Sequence, residues 1–240
     1  MPFRMALYPS QKDYAFQLPA LTLDTMASSS PNYANAGTAQ AGTNSRAQRF
    51  FPPERYVAAQ AQYVYYGIVS RLPMVARVTL TDYRGSVLLD TCVRPTQPVC
   101  DYRTAETGLQ PHHLAEAPVF IDVQRQVASL IRDKILVGYA LWDFLSVMGL
   151  SHPAINTRDT ALFMSFRRTL GHKPTTMIPL ETLVKHFMGR DIGQSGDIPV
   201  ERARAALDLF RSCEQTWEGI IATGAWPCAL PPTEYRRCFT

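Results

Sequence analysis

The run Ile135-Leu136-Val137-Gly138 constrains the fold of this chain more than any other four residues. It carries no polar position, so it reads as a short strand covered on both faces, as parallel strands with helices above and below them are. The segment before it, 119–131, places Val119, Val123, Val127 and Leu130 or Ile131 at three- and four-residue spacing, the periodicity of a helix with one apolar face. Three strand-like runs lie upstream, at 56–63, 75–81 and 86–93. Asp82-Tyr83-Arg84-Gly85, between the second and third, is a turn signal that predicts an antiparallel hairpin. Downstream, 140–148 reads as a helix, 156–160 as a short strand, and 180–188 as a helix with Gly189 as its C-cap. The last helix spans 199–217, with Pro199 in its first turn, where a missing N–H costs little, and Val200, Ala203, Leu207 and Phe210 on one face. Hairpin strands followed by helix–strand–helix predict an α/β protein with a mixed sheet packed between helices.

A length of 240 residues suits one domain with tails. Residues 1–49 divide into a stretch of scattered apolar side chains and, over 25–46, an Ala/Ser/Thr/Asn/Gly-rich linker. The linker has too little apolar surface to offset its ordering entropy, and the aperiodic terminus before it is expected to be loose as termini are, so 1–49 is expected to be a disordered tail and linker. The folded domain is expected at 50–219. The segment 220–240, with Trp226, Pro227, Pro231, Pro232 and Tyr235, is too rich in proline for a helix and reads either as a packed strap or as a partner-binding segment. A protein partner could dock through either tail. The formal charge of +4 permits a nucleic-acid partner without arguing for one, because only clustered charge creates a binding field. Five cysteines, odd in number and without a C-x-x-C pair, argue against a zinc site or a disulfide framework and place the chain in a reducing, intracellular compartment, nuclear or cytoplasmic. No run approaches the roughly 18–20 apolar residues of a membrane span, and a secretory signal is not expected.

Several strings in fixed order carry a resemblance. They are Ala76-Arg77-Val78-Thr79-Leu80, Val87-Leu88-Leu89-Asp90-Thr91-Cys92-Val93-Arg94-Pro95, Asp101-Tyr102-Arg103-Thr104 with Thr107-Gly108-Leu109, Ile135-Leu136-Val137-Gly138-Tyr139-Ala140-Leu141, Arg158-Asp159-Thr160 and Val200-Glu201-Arg202-Ala203-Arg204-Ala205-Ala206. Over roughly residues 55–217 the chain resembles the RNA exonuclease branch of the DEDDh superfamily, which includes ribosomal-RNA-processing exonucleases and the interferon-induced antiviral exonuclease. The resemblance implies a ribonuclease H-like mixed sheet flanked by helices. It also implies a site in which four carboxylates hold two divalent ions about 4 Å apart and a histidine activates water.

Carried over by position, the family's first acid pair falls on Gln60 and Gln62, its second-motif aspartate on Phe144, its general-base histidine on Asp197 and its last acid on Arg202. Magnesium prefers anionic oxygen, and Arg202 puts a permanent positive charge where a cation would sit. The expectation at this point is a chain that is not an enzyme: a pseudo-exonuclease with no catalytic residue, metal or cofactor, which binds RNA or other single-stranded nucleic acid, or a protein. Candidate nucleic-acid contacts are Arg202 for phosphate, Gln60 and Gln62 as neutral hydrogen-bonding groups, Tyr139 and Trp142 for stacking, and Arg167, Arg168 and Lys173 as a basic cluster in a loop. Phe144 is expected to fill the metal cavity, and Asp143 to pair with Arg202. Two alternatives stand beside this: an active but degenerate metal-dependent 3′-5′ exoribonuclease using Asp143, and a scaffold that binds only protein.

Overall fold

The computed structural model describes residues 50–196 and 198–240, so the expected tail and linker at 1–49 and Asp197, the position onto which the general-base histidine is carried over, lie outside the described residues. A 3-10 turn at Pro53–Arg55 leads into strand β1 (Tyr56–Tyr66). β1 pairs antiparallel with β2 (Leu72–Asp82), which pairs antiparallel with β3 (Val87–Cys92), and a short β4 (Val99–Asp101) pairs with the far end of β1. Helices α1 (Thr104–Thr107), α2 (Pro111–Ala115) and α3 (Phe120–Ile131) carry the chain to β5 (Ile135–Gly138), parallel to β1. After α4 (Leu141–Met148) comes β6 (Thr157–Asp159), parallel to β5, and then α5 (Met164–Thr169), α6 (Leu180–Met188), α7 (Pro199–Ala222) and a 3-10 segment at Thr233–Cys238. The sheet order is β3-β2-β1-β5-β6, with β4 beside β1. The mixed sheet flanked by helices is the architecture the sequence predicts.

Alternation along the central strands sorts side chains between two cores. Tyr56, Ala58, Ile135 and Val137 pack against α6 and α7 through Leu183, Val184, Ala206, Phe210 and Trp217. Val57, Ala59 and Leu136 face the other way, against Val123, Val127 and Ile131 of α3 and Phe144, Leu145 and Met148 of α4. All four residues of β5 are buried, which is why its sequence has no polar position. Gly138 is required where β5 turns into α4. A Cβ there would lie 2.5 Å from Leu141 Cδ2 and 3.0 Å from the Ala59 carbonyl oxygen.

Three consecutive polar residues clamp the end of the parallel sheet. The Arg158 guanidinium, fully buried, donates to both carboxylate oxygens of Glu218 on α7 at 2.8 Å each, and to the carbonyls of Ile155 and Thr157. Asp159, also buried, accepts the backbone N–H groups of Ala140 (3.0 Å), Leu141 (2.7 Å) and Ala161 (3.0 Å). It thereby caps α4, whose N-cap residue Ala140 has a left-handed φ of 53°. Thr160 donates its hydroxyl and its N–H to the Gly138 carbonyl. A buried charge pair of this kind needs its remaining donors satisfied, as they are here.

Four details differ from the sequence reading. β1 and β2 run further than expected, because their extensions at 64–66 and 72–74 pair with each other. The segment holding Arg167 and Arg168 is helix α5 and not a loop. β4, α1 and α2 are three to five residues long, too short to show a periodicity. Helix α7 runs through the expected domain end at 219. The segment after it is a strap: Pro227 accepts from Met164 N–H, Ala229 donates to Leu162, Cys238 accepts from His152 N–H, and Thr240 bonds both His152 and Ala154. Among the described residues, no helix is long and apolar enough to cross a membrane.

Candidate functional site

A cleft of about 360 Å³ opens at the edge of the sheet where β1, β5 and the starts of α4 and α7 converge. Its walls are Gln60, Ala61 and Tyr63 from β1, Arg103 and Glu106 around α1, Tyr139 and Ala140 after β5, Asp143, Phe144 and Val147 from α4, and Arg202 from the first turn of α7. The parallel pairing of β1 with β5 sets Gln60 beside the β5–α4 turn, and the Asp159 cap fixes the direction in which α4 leaves it.

Of the positions carried over from the resemblance, Gln60, Phe144 and Arg202 meet in this cleft. Gln62 does not. It is 1% exposed and its side-chain amide donates to the Thr107 carbonyl at 3.2 Å, tying β1 to α1, so burial removes it from any nucleic-acid surface. Phe144 is buried in the core cluster with Leu145 and Met148 and also lines the cleft. Arg202 pairs with Glu181 of α6, and this corrects the expected pairing with Asp143. Burial opposes ionisation of Glu181, but a bond from its own backbone and the Arg202 guanidinium together hold its carboxyl below the usual range. Asp143 instead hydrogen-bonds Tyr235 of the C-terminal strap. Burial pushes its carboxyl up to about 6, against the pull of that bond. Asp159, behind it, is raised to about 7 by burial, with three backbone N–H donors pulling down and the Asp143 charge adding to the rise.

Three further candidates belong elsewhere. Trp142 is buried against Ala161 and Leu162 and has no open face for a base. Arg167 is 3% exposed; its guanidinium donates to the carbonyls of Pro174 and of Ala161, the latter at 2.6 Å, and so shapes the turn after α5. Arg168 and Lys173 are exposed but lie outside the cleft walls. Tyr139 does line the cleft, with its hydroxyl donating to the Ile178 carbonyl at 2.8 Å, and burial raises its phenol. Arg103, Glu106 and Tyr235 were not read from the sequence as site residues. Arg103 lies in the Asp101-Tyr102-Arg103-Thr104 string, whereas Glu106 falls between that string and Thr107-Gly108-Leu109.

Among curated proteins, RNA exonuclease 4 of Candida albicans is 40% identical over 163 residues, 68% of this chain and 56% of that protein. The human apoptosis-enhancing nuclease is 32% identical over 178 residues, 73% of this chain and 55% of that protein. The chain belongs to the DEDD exonuclease superfamily. It spans a little over half the length of these relatives. No family model matches the chain. Among solved structures, the Saccharomyces cerevisiae Pan2 pseudoubiquitin hydrolase–RNA exonuclease module in complex with A7 RNA superposes with a TM-score of 0.59 at 21% identity, covering 76% of this chain and 32% of that one. That likeness is one of fold, the ribonuclease H-like exonuclease fold. The relatives also overturn the expectation that the chain is not an enzyme, because the proteins it matches at 32–40% identity are named as nucleases.

The superfamily's chemistry uses divalent ions held by carboxylates, and the donor set of this cleft does not fit a metal pair. Among the described residues its acids are Glu106, which is ion-paired with Arg103, and Asp143, while Arg202 contributes a fixed positive charge to the same space. Among the described residues no cluster of three or more His, Cys, Asp or Glu side chains could hold a metal ion. What the cleft offers instead is two guanidiniums for phosphate, the rings of Tyr63 and Tyr139 at its walls, and the Asp143 carboxyl that burial pushes up to about 6.

Proposed function

We propose that the chain is a degenerate exoribonuclease that takes the 3′ end of a single-stranded RNA into this cleft. The observation that carries the reading is the convergence of Arg202, Arg103, Tyr63, Tyr139 and Asp143 on one open cleft at the sheet edge. The names of the relatives support RNA as the substrate class. Arg202 and Arg103 contact phosphate oxygens, and the tyrosines border the terminal nucleotide. Among the described residues that line the cleft, Asp143, with its raised pKa, is the group placed to take a proton from water as that water attacks the terminal phosphodiester. The P–O bond to the penultimate 3′ oxygen breaks, that oxygen gains a proton, and a nucleoside 5′-monophosphate leaves. Hydrolysis is expected to be slow, since the charge developing on phosphate is met by guanidiniums and not by a metal pair.

The test is incubation of the purified chain with 5′-labelled RNA, with and without magnesium or manganese, beside Asp143→Asn. Ladders that shorten from the 3′ end, and that the substitution removes, are expected. RNA left intact by the native chain, or shortening that survives Asp143→Asn, overturns the assignment.

A further inference from the structure

From the cleft wall to its far end, β1 carries a stack of alternating rings and guanidiniums. The Arg103 guanidinium carbon lies 4.4 Å from the centroid of the Tyr63 ring and 5.8 Å from that of Tyr65, and the Arg71 guanidinium carbon lies 5.1 Å from the Tyr65 centroid. The two tyrosine rings are 5.9 Å apart, edge to face. Tyr63 and Arg103 belong to the cleft wall, whereas Tyr65 and Arg71 do not, so the stack leads from the cleft to the surface. Two irregularities shape this end of the strand: a register shift against β2 between Gln62 and Tyr63, and one against β4 between Tyr65 and Tyr66. Arg71 has a φ of 42°, in the left-handed region that few side chains adopt, and its N–H is held by the Gly67 carbonyl at 2.9 Å.

Each arginine in the stack already has a carboxylate. Arg71 pairs with Asp101 and Arg103 with Glu106. At Arg71, outside the cleft, the charge is largely met by Asp101, but a planar guanidinium in an ion pair keeps its faces for stacking. The Arg71 side chain is 52% exposed, so its plane can be covered by another flat group. Such a surface suits bases better than phosphates, and unpaired bases better than paired ones, whose faces are taken up by their neighbours.

We propose that Tyr65 and Arg71 form a base-stacking platform that holds nucleotides of a single-stranded RNA outside the cleft. The proposal rests on the reading that the cleft holds the RNA end. It predicts affinity that grows with RNA length through stacking, without a matching growth in salt dependence.

The test is fluorescence anisotropy of the full chain with oligoadenylates of about four and about ten nucleotides. Tyr65→Ala and Arg71→Ala should each weaken binding of the longer oligonucleotide by roughly tenfold. They should leave the shorter one and the slope against salt unchanged, and Tyr65→Phe should bind as the native chain does. Native-like binding of the longer RNA by both alanine variants overturns the platform and leaves the cleft reading standing. A native chain that binds neither RNA overturns both. If circular dichroism shows Tyr65→Ala to be unfolded, Arg71→Ala decides alone, since it changes an exposed side chain.

Discussion

Replacing Asp143 with Asn removes one titrating group from the cleft while keeping its size and its ability to accept from Tyr235. In the folded chain burial moves the Asp143 carboxyl from an ordinary 3.8 to about 6. In the unfolded chain it returns to the ordinary value. As pH rises from about 4 the unfolded state gives up this proton first, so the folded state holds more protons and native stability falls as pH rises toward 6. Two pH units at about 1.4 kcal/mol each make that loss at most about 3 kcal/mol. The Asn variant has no proton to lose here. The stability of the variant minus that of the native chain should therefore be constant below about pH 4 and rise by up to about 3 kcal/mol above pH 6. Loss of the Asp143 charge should also relieve Asp159, moving the difference in the same direction. Urea unfolding of both proteins at a series of pH values measures it. A difference that stays flat with pH, or one that falls, refutes the view that Asp143 is held in a poorly solvated place.

The buried Arg158–Glu218 pair ties β6 to α7, and removing one partner leaves a charge without compensation. Arg158→Met should cost about 3–5 kcal/mol, and Arg158→Met with Glu218→Leu should recover much of it, read by urea midpoint. Gly138→Ala places a methyl against Leu141 and the Ala59 carbonyl. It should cost about 1–3 kcal/mol in the same assay; a change within experimental error would show that the β5–α4 turn has room to spare.

The sheet was legible because its chemistry is local and repetitive. A wholly apolar run announced β5, the Asp82–Gly85 turn announced the β2–β3 hairpin, and three- and four-residue spacing announced α3 and α7. The cleft was legible only in part, through the strings that placed Gln60, Phe144 and Arg202 at one sheet edge. Whether a side chain faces a cleft or the protein depends on contacts far away in sequence. Arg167 looks like a surface cation until the carbonyls of Ala161 and Pro174 are seen around it, and Trp142 looks free to stack until Leu162 covers it. Gln62 was misplaced for the same reason, since its partner is a carbonyl on α1, a helix with no sequence signature. Tyr235 reaches Asp143 only because the strap after α7 folds back across α4.

RNA held in the cleft by Arg202 should obey counterion release. The most direct measurement is the affinity of the purified chain for a single-stranded RNA at two salt concentrations, beside Arg202→Glu. Binding that weakens steeply with salt in the native chain, with lower affinity and a shallower slope in the variant, is expected. No binding, or binding that Arg202→Glu leaves untouched, contradicts the placement of RNA in this cleft.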